Sequence, residues 1–298
     1  MFKKILGLIL SVVAITAHAR QDVAVVWWAG LAAGPVNYAR VIIDEANKSQ
    51  DKYNFYLEPK PGAGGAVAAQ YVLTANKLAV MGTGDAFFVR PNLYPDEKLY
   101  RVEDFRLMLP QFSIPYAVAF NKNKPMSVLE KQPQITIGVG GLGTQQHLIA
   151  EQLRLKHPNM VVVPLKTHSD VIQQLIGGHL DLGTEFVASI DQYPQLGVYG
   201  VTGPTKIEGF NTLSSLGYKG LEKYNIHVYM VAPRSMPEDT FNEINKILVA
   251  AQTNNAKIAE LLKRDKAQPM NLKRSDYEQW YTTANEEAKQ KTKGIKIQ

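Results

Sequence analysis

The chain contains no cysteine. That excludes disulfide staples, a lipoprotein anchor and thiolate chemistry. No His-Glu-x-x-His occurs, and the six histidines are scattered, so no metal-ligand spacing stands out. Gly-x-Ser-x-Gly is missing, and with it the nucleophile elbow of serine hydrolases. No glycine-rich turn fits G-x-G-x-x-G with an acidic residue about twenty positions on, and no Walker-type Gly-Lys-Ser/Thr is present. His168, Ser169 and Asp170 are adjacent, but a triad is defined by geometry and not by adjacency. Short-period repeats and low-complexity tracts are also missing. The chain is therefore expected not to be an enzyme and to need neither metal nor cofactor.

Long apolar runs are scarce too. The one at residues 5–15 follows Met1-Phe2-Lys3-Lys4 and precedes Ala17-His18-Ala19. It is too short to span a bilayer comfortably. A basic start, an apolar middle and a small-x-small end read as a secretory signal, residues 1–19, cut after Ala19. A signal without cysteine fits a bacterial periplasm. Loss of Lys3 and Lys4 lowers the formal charge from +6 to +4, and the remaining lysine-rich stretches read as solvated surface. A mildly basic exported chain is expected to be a soluble monomer that binds no nucleic acid, with a field that favours anions.

What the chain does have is a pair of glycine-rich turns that lead straight into helices. The first is Pro61-Gly62-Ala63-Gly64-Gly65, and the second is Gly140-Gly141-Leu142-Gly143-Thr144. Glycine lets backbone N–H groups converge, and a helix N-terminus adds unpaired donors and partial positive charge. Each turn is a candidate anion cradle. The second also offers the Thr144 hydroxyl, Gln145, Gln146 and His147. A third junction is Leu165-Lys166-Thr167-His168-Ser169, where Ser169 reads as the N-cap with Thr167 as the other choice. The fourth is Trp28 through Gly30, Leu31, Ala32, Ala33, Gly34 and Pro35. Two cradles in two halves of one chain suggest a small carboxylate or phosphate held between lobes.

Strand and helix signals alternate along most of the chain, the α/β pattern with mainly parallel strands. Strands are expected at 23–27, 55–59, 78–82, 117–121, 135–139, 161–164, 180–184, 198–201 and 228–232. Helices are expected at 36–47, 65–75, 145–155 and 169–176. Residues 238–252, 256–264 and 275–291 then read as a helical cap, the last with Ser275 and Glu278 as a capping box. Breaks near 121–125 and 217–225 divide the chain into lobe 1, residues 20–121 with 224–298, and lobe 2, residues 122–223. Ligands favour such interdomain clefts.

Four stretches in this order resemble the periplasmic substrate-binding proteins of tripartite tricarboxylate transporters, the Bug-type receptors. They are residues 30–40, ending Asn37-Tyr38-Ala39-Arg40; residues 58–72; residues 141–148; and residues 163–181, through Gly177-Gly178-His179-Leu180-Asp181. The resemblance implies a type II-like, two-lobed binding protein of the Venus-flytrap kind. It would close on a carboxylate, citrate-like, dicarboxylic or aromatic, and deliver it to transmembrane transporter subunits. A ligand-loaded input to a two-component kinase and a periplasmic enzyme on a carboxylated substrate are the rival readings.

Carried residue by residue, the resemblance implies ligand contacts at Gly30, Leu31, Ala32, Ala33, Gly34 and Pro35, at Gly62, Ala63, Gly64 and Gly65, at Gly143, Thr144, Gln145 and Gln146, and at Lys166 and Thr167; the residues themselves add His147 as a candidate. Glu185 falls where the family often has an acid, after the strand at 180–184. Trp28 is expected to line the cleft while Trp27 packs in the core, because neighbours on a strand face opposite ways. A lysine such as Lys166 is more often solvated, a histidine such as His147 or His168 more often packed, and Arg40 reads as a structural salt bridge. Pro35 and Val36 replace the family's usual hydroxyl and Asp, and Leu165 and Thr167 its usual Tyr and Gly. Without that Asp, recognition of a ligand amino group is disfavoured, so substrate choice does not transfer.

Overall fold

The computed structural model describes residues 19–31, 35–98, 100–129, 131–203, 207 and 209–293. The leader at 1–18 and the first-turn residues Ala32, Ala33 and Gly34 lie outside the described residues.

The chain runs β1 (Gln21–Trp27), α1 (Val36–Ser49), β2 (Tyr53–Pro59), α2 (Ala66–Thr74), β3 (Ala79–Gly84), α3 (Ala86–Leu93) and β4 (Phe105–Ile114). It continues through β5 (Tyr116–Asn121), α4 (Met126–Leu129), β6 (Ile135–Val139), α5 (Gln145–Lys156), β7 (Met160–Pro164), α6 (His168–Ile176), β8 (Leu182–Phe186), α7 (Val187–Ile190) and β9 (Leu196–Val201). It ends with β10 (Ile226–Pro233), α8 (Glu238–Gln252), α9 (Ala256–Arg264), β11 (Gln268–Pro269) and α10 (Tyr277–Thr292).

The strands form two sheets. One has the order β11-β4-β10-β3-β1-β2 and the other β7-β6-β8-β5-β9. Each is mixed, where mainly parallel sheets were expected. β1 runs parallel to β2 and β3, while β10 is antiparallel to β3 and β4. In the second sheet β6 is parallel to β7 and β8, while β5 is antiparallel to β8 and β9. Apart from the two-residue β11, which is antiparallel to β4, the strands that run antiparallel to their neighbours, β5 and β10, are those on which the chain enters a sheet from the other one. A crossing strand arrives from the partner sheet without a returning helix to turn it parallel.

The first crossing falls at Pro115, between β4 and β5, and not at 121–125, because Tyr116–Asn121 pairs wholly within the second sheet. The chain rejoins the first sheet at Ile226. β4 was not anticipated, because Pro110 interrupts it and proline cannot donate to a ladder. The ladder absorbs it: Pro110 faces Tyr229 where the β10–β4 register shifts between Val228 and Tyr229. The strand expected at 180–184 begins instead at Leu182, since Leu180 N–H still bonds back to the Gln174 carbonyl at the end of α6. Ser275 bonds Asp276, not a backbone N–H, so the expected capping box at α10 is replaced by a short 3₁₀ turn at Arg274–Asp276.

Alternating apolar residues build the core. Val23, Val25 and Trp27 of β1 pack with Tyr38, Ile42 and Ile43 of α1 and with Phe241, Ile244 and Leu248 of α8. The opposite face of β1, Ala24 and Val26, joins a cluster that continues through Tyr116, Val139 and Leu182 of the second sheet and Leu148 of α5. Trp27 is fully buried, and its ring lies on Gly82, where an added Cβ would come within 2.2 Å of Cζ3. Among the described residues no helix is long and apolar enough to cross a membrane.

Candidate functional site

Lobe 1 contributes the turn before α2. Its four residues all have positive φ: Gly62 at 134°, Ala63 at 47°, Gly64 at 60° and Gly65 at 98°. Glycine adopts this region without the steric cost an L side chain incurs. The turn closes through a 3.0 Å bond from Gly65 N–H to the Gly62 carbonyl. Gly62, Ala63 and Gly64 are exposed and Gly65 is buried. A Cβ on Gly65 would lie 3.4 Å from Trp28 Cβ, so the first two junctions meet. Trp28 is half-buried, with its ring 4.5 Å from that of Trp27. Gly30 and Leu31 are exposed. Arg40 makes no salt bridge among the described residues. It donates to Asn37 Oδ1 at 3.0 Å and to the Leu31 carbonyl at 2.9 Å, and so clasps the first turn.

Lobe 2 contributes the turn before α5. Gly141 and Gly143 have φ of 109° and 75°, and Thr144 is the N-cap. Its hydroxyl accepts the His147 N–H at 3.2 Å and donates to the Gly141 carbonyl at 2.9 Å. His147 returns the favour to the turn, because its Nδ1 accepts the Gly143 N–H at 3.2 Å. That amide, expected in the cradle, is engaged by the histidine. Burial holds the His147 pKa below the usual value, with Arg154 acting the same way and Glu151 opposing. The Gly140 N–H is likewise engaged, by Gln146 Oε1 at 3.1 Å.

Beside this turn a polar cluster is packed beneath the N-terminus of α6. Thr167, not Ser169, caps that helix, and with Asp170 it completes a capping box. Lys166 and Thr167 are exposed. Glu185 is fully buried, so it lies beneath the surface and not in the mouth. Gln146 Nε2 donates to the Thr184 carbonyl and to Glu185 Oε1, the latter at 3.1 Å. His168 Nδ1 lies 3.1 Å from Glu185 Oε2 and 3.0 Å from Gln146 Nε2. An amide NH₂ has two protons, and those of Gln146 are both committed. His168 Nδ1 therefore carries its own proton, which it donates to Glu185. Desolvation of the ring edge packed on Glu185 disfavours charge on this half-exposed imidazole, but the charge of Glu185 and its hydrogen bond outweigh it and raise the pKa.

Several groups meet across the gap between lobes. Gln145 Nε2 reaches Asp85 Oδ2 at 3.4 Å, and a Cβ on Gly143 would lie 3.1 Å from the Tyr94 ring. Gln145 Oε1 is buried without a partner among the described residues. It borders a cavity of about 220 Å³ whose wall includes Asp85, His227, Trp280 and Lys291. Asp85 Oδ2 also accepts the His227 N–H at 2.9 Å and lies 3.1 Å from His227 Nδ1. Phe186, at the end of β8, packs against the first sheet's cluster, as does Trp28. Tyr116 stacks on Phe186 at 5.0 Å. Burial raises its hydroxyl pKa well above the usual value, and the charges of Asp85 and Glu185 add to the rise.

The junctions thus form two pairs, Trp28 with Gly65 in lobe 1 and residues 140–147 with His168 and Glu185 in lobe 2. Sequence reasoning did not select Asp85, Tyr116, Phe186 or His227. Asp85 falls three residues after the strand expected at 78–82, which was the available signal. The other three carry no local pattern. Among the described residues no cluster of three or more His, Asp or Glu side chains is arranged to hold a metal ion.

A family model described as the tripartite tricarboxylate transporter family receptor matches residues 38–297. No curated protein sequence matches the chain. Three solved structures share the fold. The periplasmic binding protein BugD is 20% identical with a TM-score of 0.75, covering 93% of this chain and 99% of its own. An adipate-bound protein of R. palustris is 17% identical with a TM-score of 0.77, covering 92% and 96%. Malate-bound MatC of Rhodopseudomonas palustris is 18% identical with a TM-score of 0.75, covering 93% and 100%.

Proposed function

The chain belongs to the tripartite tricarboxylate transporter family of receptors, and from that premise we propose that it is a periplasmic receptor that closes its two lobes on a small dicarboxylate and hands it to membrane subunits. The observation that carries the reading is the cross-lobe contact of Gln145 with Asp85. It supports a reading in which the second glycine turn opens onto the lobe junction. Adipate and malate, bound by two proteins of the same fold, fit this chemistry. A micromolar ligand corresponds to about 8 kcal/mol, and charge-assisted hydrogen bonds contribute roughly 1.5–3 kcal/mol each. Two carboxylates with several donors reach that range.

The hinge would be the two crossings, at Pro115 and between Thr202 and Ile226. The closed form gains because the ligand contacts both lobes only there. The contacts in lobe 1 would be the exposed turn of Gly62, Ala63 and Gly64 with Trp28, Gly30 and Leu31. In lobe 2 they would be the rim of α5 and the N-terminus of α6. Cleavage after Ala19 would release the mature chain from Arg20 into the periplasm.

A thermal-shift panel of adipate, malate, succinate, citrate, terephthalate and amino acids tests this. Ligand at a hundred times its Kd adds about 2.7 kcal/mol, worth roughly 5–10 °C at this size. A selective rise with one or more carboxylates supports the reading. A rise only with amino acids, or with none of the panel after refolding to strip carried ligand, counts against it.

A further inference from the structure

We propose that His168 is a specificity-determining carboxylate ligand of this receptor, presenting its Nε2–H to the solute, and that buried Glu185 is its positioning residue. The proposal rests on the carboxylate-receptor reading and deepens it.

Three features of the chain single His168 out. Its Nδ1 is fixed by Glu185 Oε2 at 3.1 Å, which leaves Nε2 as the free end of the ring, with no hydrogen-bond partner among the described residues. Its ring stacks on Phe186 at 5.3 Å and an interplanar angle of 18°, and Phe186 packs against the first sheet's core at the lobe junction. Its side chain is 46% exposed while Glu185 is fully buried. The imidazole is therefore gripped on one edge and one face and open on the other edge.

Glu185 supplies the reason for a charged ring. A buried carboxylate is costly unless paired, and His168 is its only cationic partner among the described residues. Gln146 Nε2 satisfies Oε1 but brings no charge. As the first residue of α6, His168 also stands where backbone N–H groups already favour an anion. The charged groups around it are Glu185 from β8, with Lys166 and Asp170 near it on its own segment. Asp170 is occupied by the Thr167 N–H. An imidazolium with Nε2–H at this position would make a charge-assisted hydrogen bond to a ligand carboxylate.

The test is calorimetric titration of malate and adipate into wild type, His168→Gln and Glu185→Gln from pH 5.5 to 8.5. Wild-type binding of either probe establishes the receptor reading by itself. The proposal then expects His168→Gln to weaken binding by about tenfold to a hundredfold and to abolish the loss of affinity seen in wild type as pH rises through the imidazole titration. Glu185→Gln should move that loss to lower pH. If Glu185→Gln does not fold, the His168 ring proton is followed by NMR in wild type, and saturating ligand should raise its titration midpoint. Wild-type affinity and pH profile in His168→Gln, or an unmoved midpoint, overturns the proposal while leaving the receptor reading intact. If wild type binds neither probe, the same titrations are run with whichever of succinate, citrate or terephthalate it binds, and failure of wild type to bind any of these carboxylates overturns both.

Discussion

Asp85 and His227, 142 residues apart, are joined twice through one oxygen: Asp85 Oδ2 accepts the His227 backbone N–H at 2.9 Å and lies 3.1 Å from its Nδ1. The link ties the start of α3 to the first residues of β10, the strand on which the chain returns from lobe 2. Through the same oxygen Asp85 meets Gln145 of the other lobe. Burial opposes charge on the His227 ring, but Asp85's charge and hydrogen bond outweigh burial and raise its pKa, while Lys291 opposes and Glu287 assists.

That direction fixes a pH dependence. A histidine whose folded pKa is raised stabilises fully below its unfolded value, and the contribution is lost as pH rises through the folded value. The urea midpoint of wild type should fall, as pH rises above about 6.5, more steeply than that of His227→Gln. Parallel profiles would mean that the ion pair does not form in solution.

His147 has the opposite sign. Its depressed pKa means its contribution is present above the usual histidine value and is lost as pH falls through the folded one. The acid limb of the stability profile, from about pH 6.5 downward, should flatten in His147→Gln. Glutamine keeps an acceptor for the Gly143 N–H. An unchanged acid limb would show that the ring does not stay neutral in the fold.

Thr144→Ala removes the hydroxyl that caps α5 and ties back to Gly141. Loss of an N-cap costs about 0.5–2 kcal/mol, measurable as a lower urea midpoint at constant slope. Because the same turn forms the rim of the proposed cleft, carboxylate affinity should also fall by about a few-fold to tens of fold. A stability loss with unaltered affinity would remove this turn from the ligand contacts.

Gly82→Ala places a methyl within 2.2 Å of Trp27 Cζ3 and 2.3 Å of Cε3. Trp27 is fully buried, so neither partner can swing into solvent. Overpacking of this kind costs about 1–3 kcal/mol or more, and the thermal midpoint should drop by several degrees. A variant as stable as wild type would mean that the Trp27 ring repacks freely.

Much of this was legible before any coordinates. The continuous apolar run at 23–27 and the alternating run of Ile135, Ile137 and Val139 place strands without help. Thr144 announces the start of α5 through its residue type. β4 was hidden because Pro110 reads as a break, and only a bulge against β10 reconciles it with a central strand. The N-cap of α6 was assigned to Ser169 because serine is as good a cap as threonine. The reciprocal bond with Asp170 selects Thr167.

The amino-acid sequence by itself determined the alternation of strands and helices, the two glycine turns that need positive φ, and the family to which the chain belongs. These depend on interactions between residues a few positions apart, or on recurring patterns of residue type. Only the tertiary structure decided which polar groups remain free. It engaged the Gly143 N–H with His147, buried Glu185 under His168, and brought Asp85 to His227. Those pairings are set by how mixed sheets bring distant strand ends together, and no local period encodes that. Once brought together in a low-dielectric junction, most buried donors and acceptors find a partner, and the pairing that results, with Gln145 Oε1 left over among the described residues, decides what is left to hold a ligand.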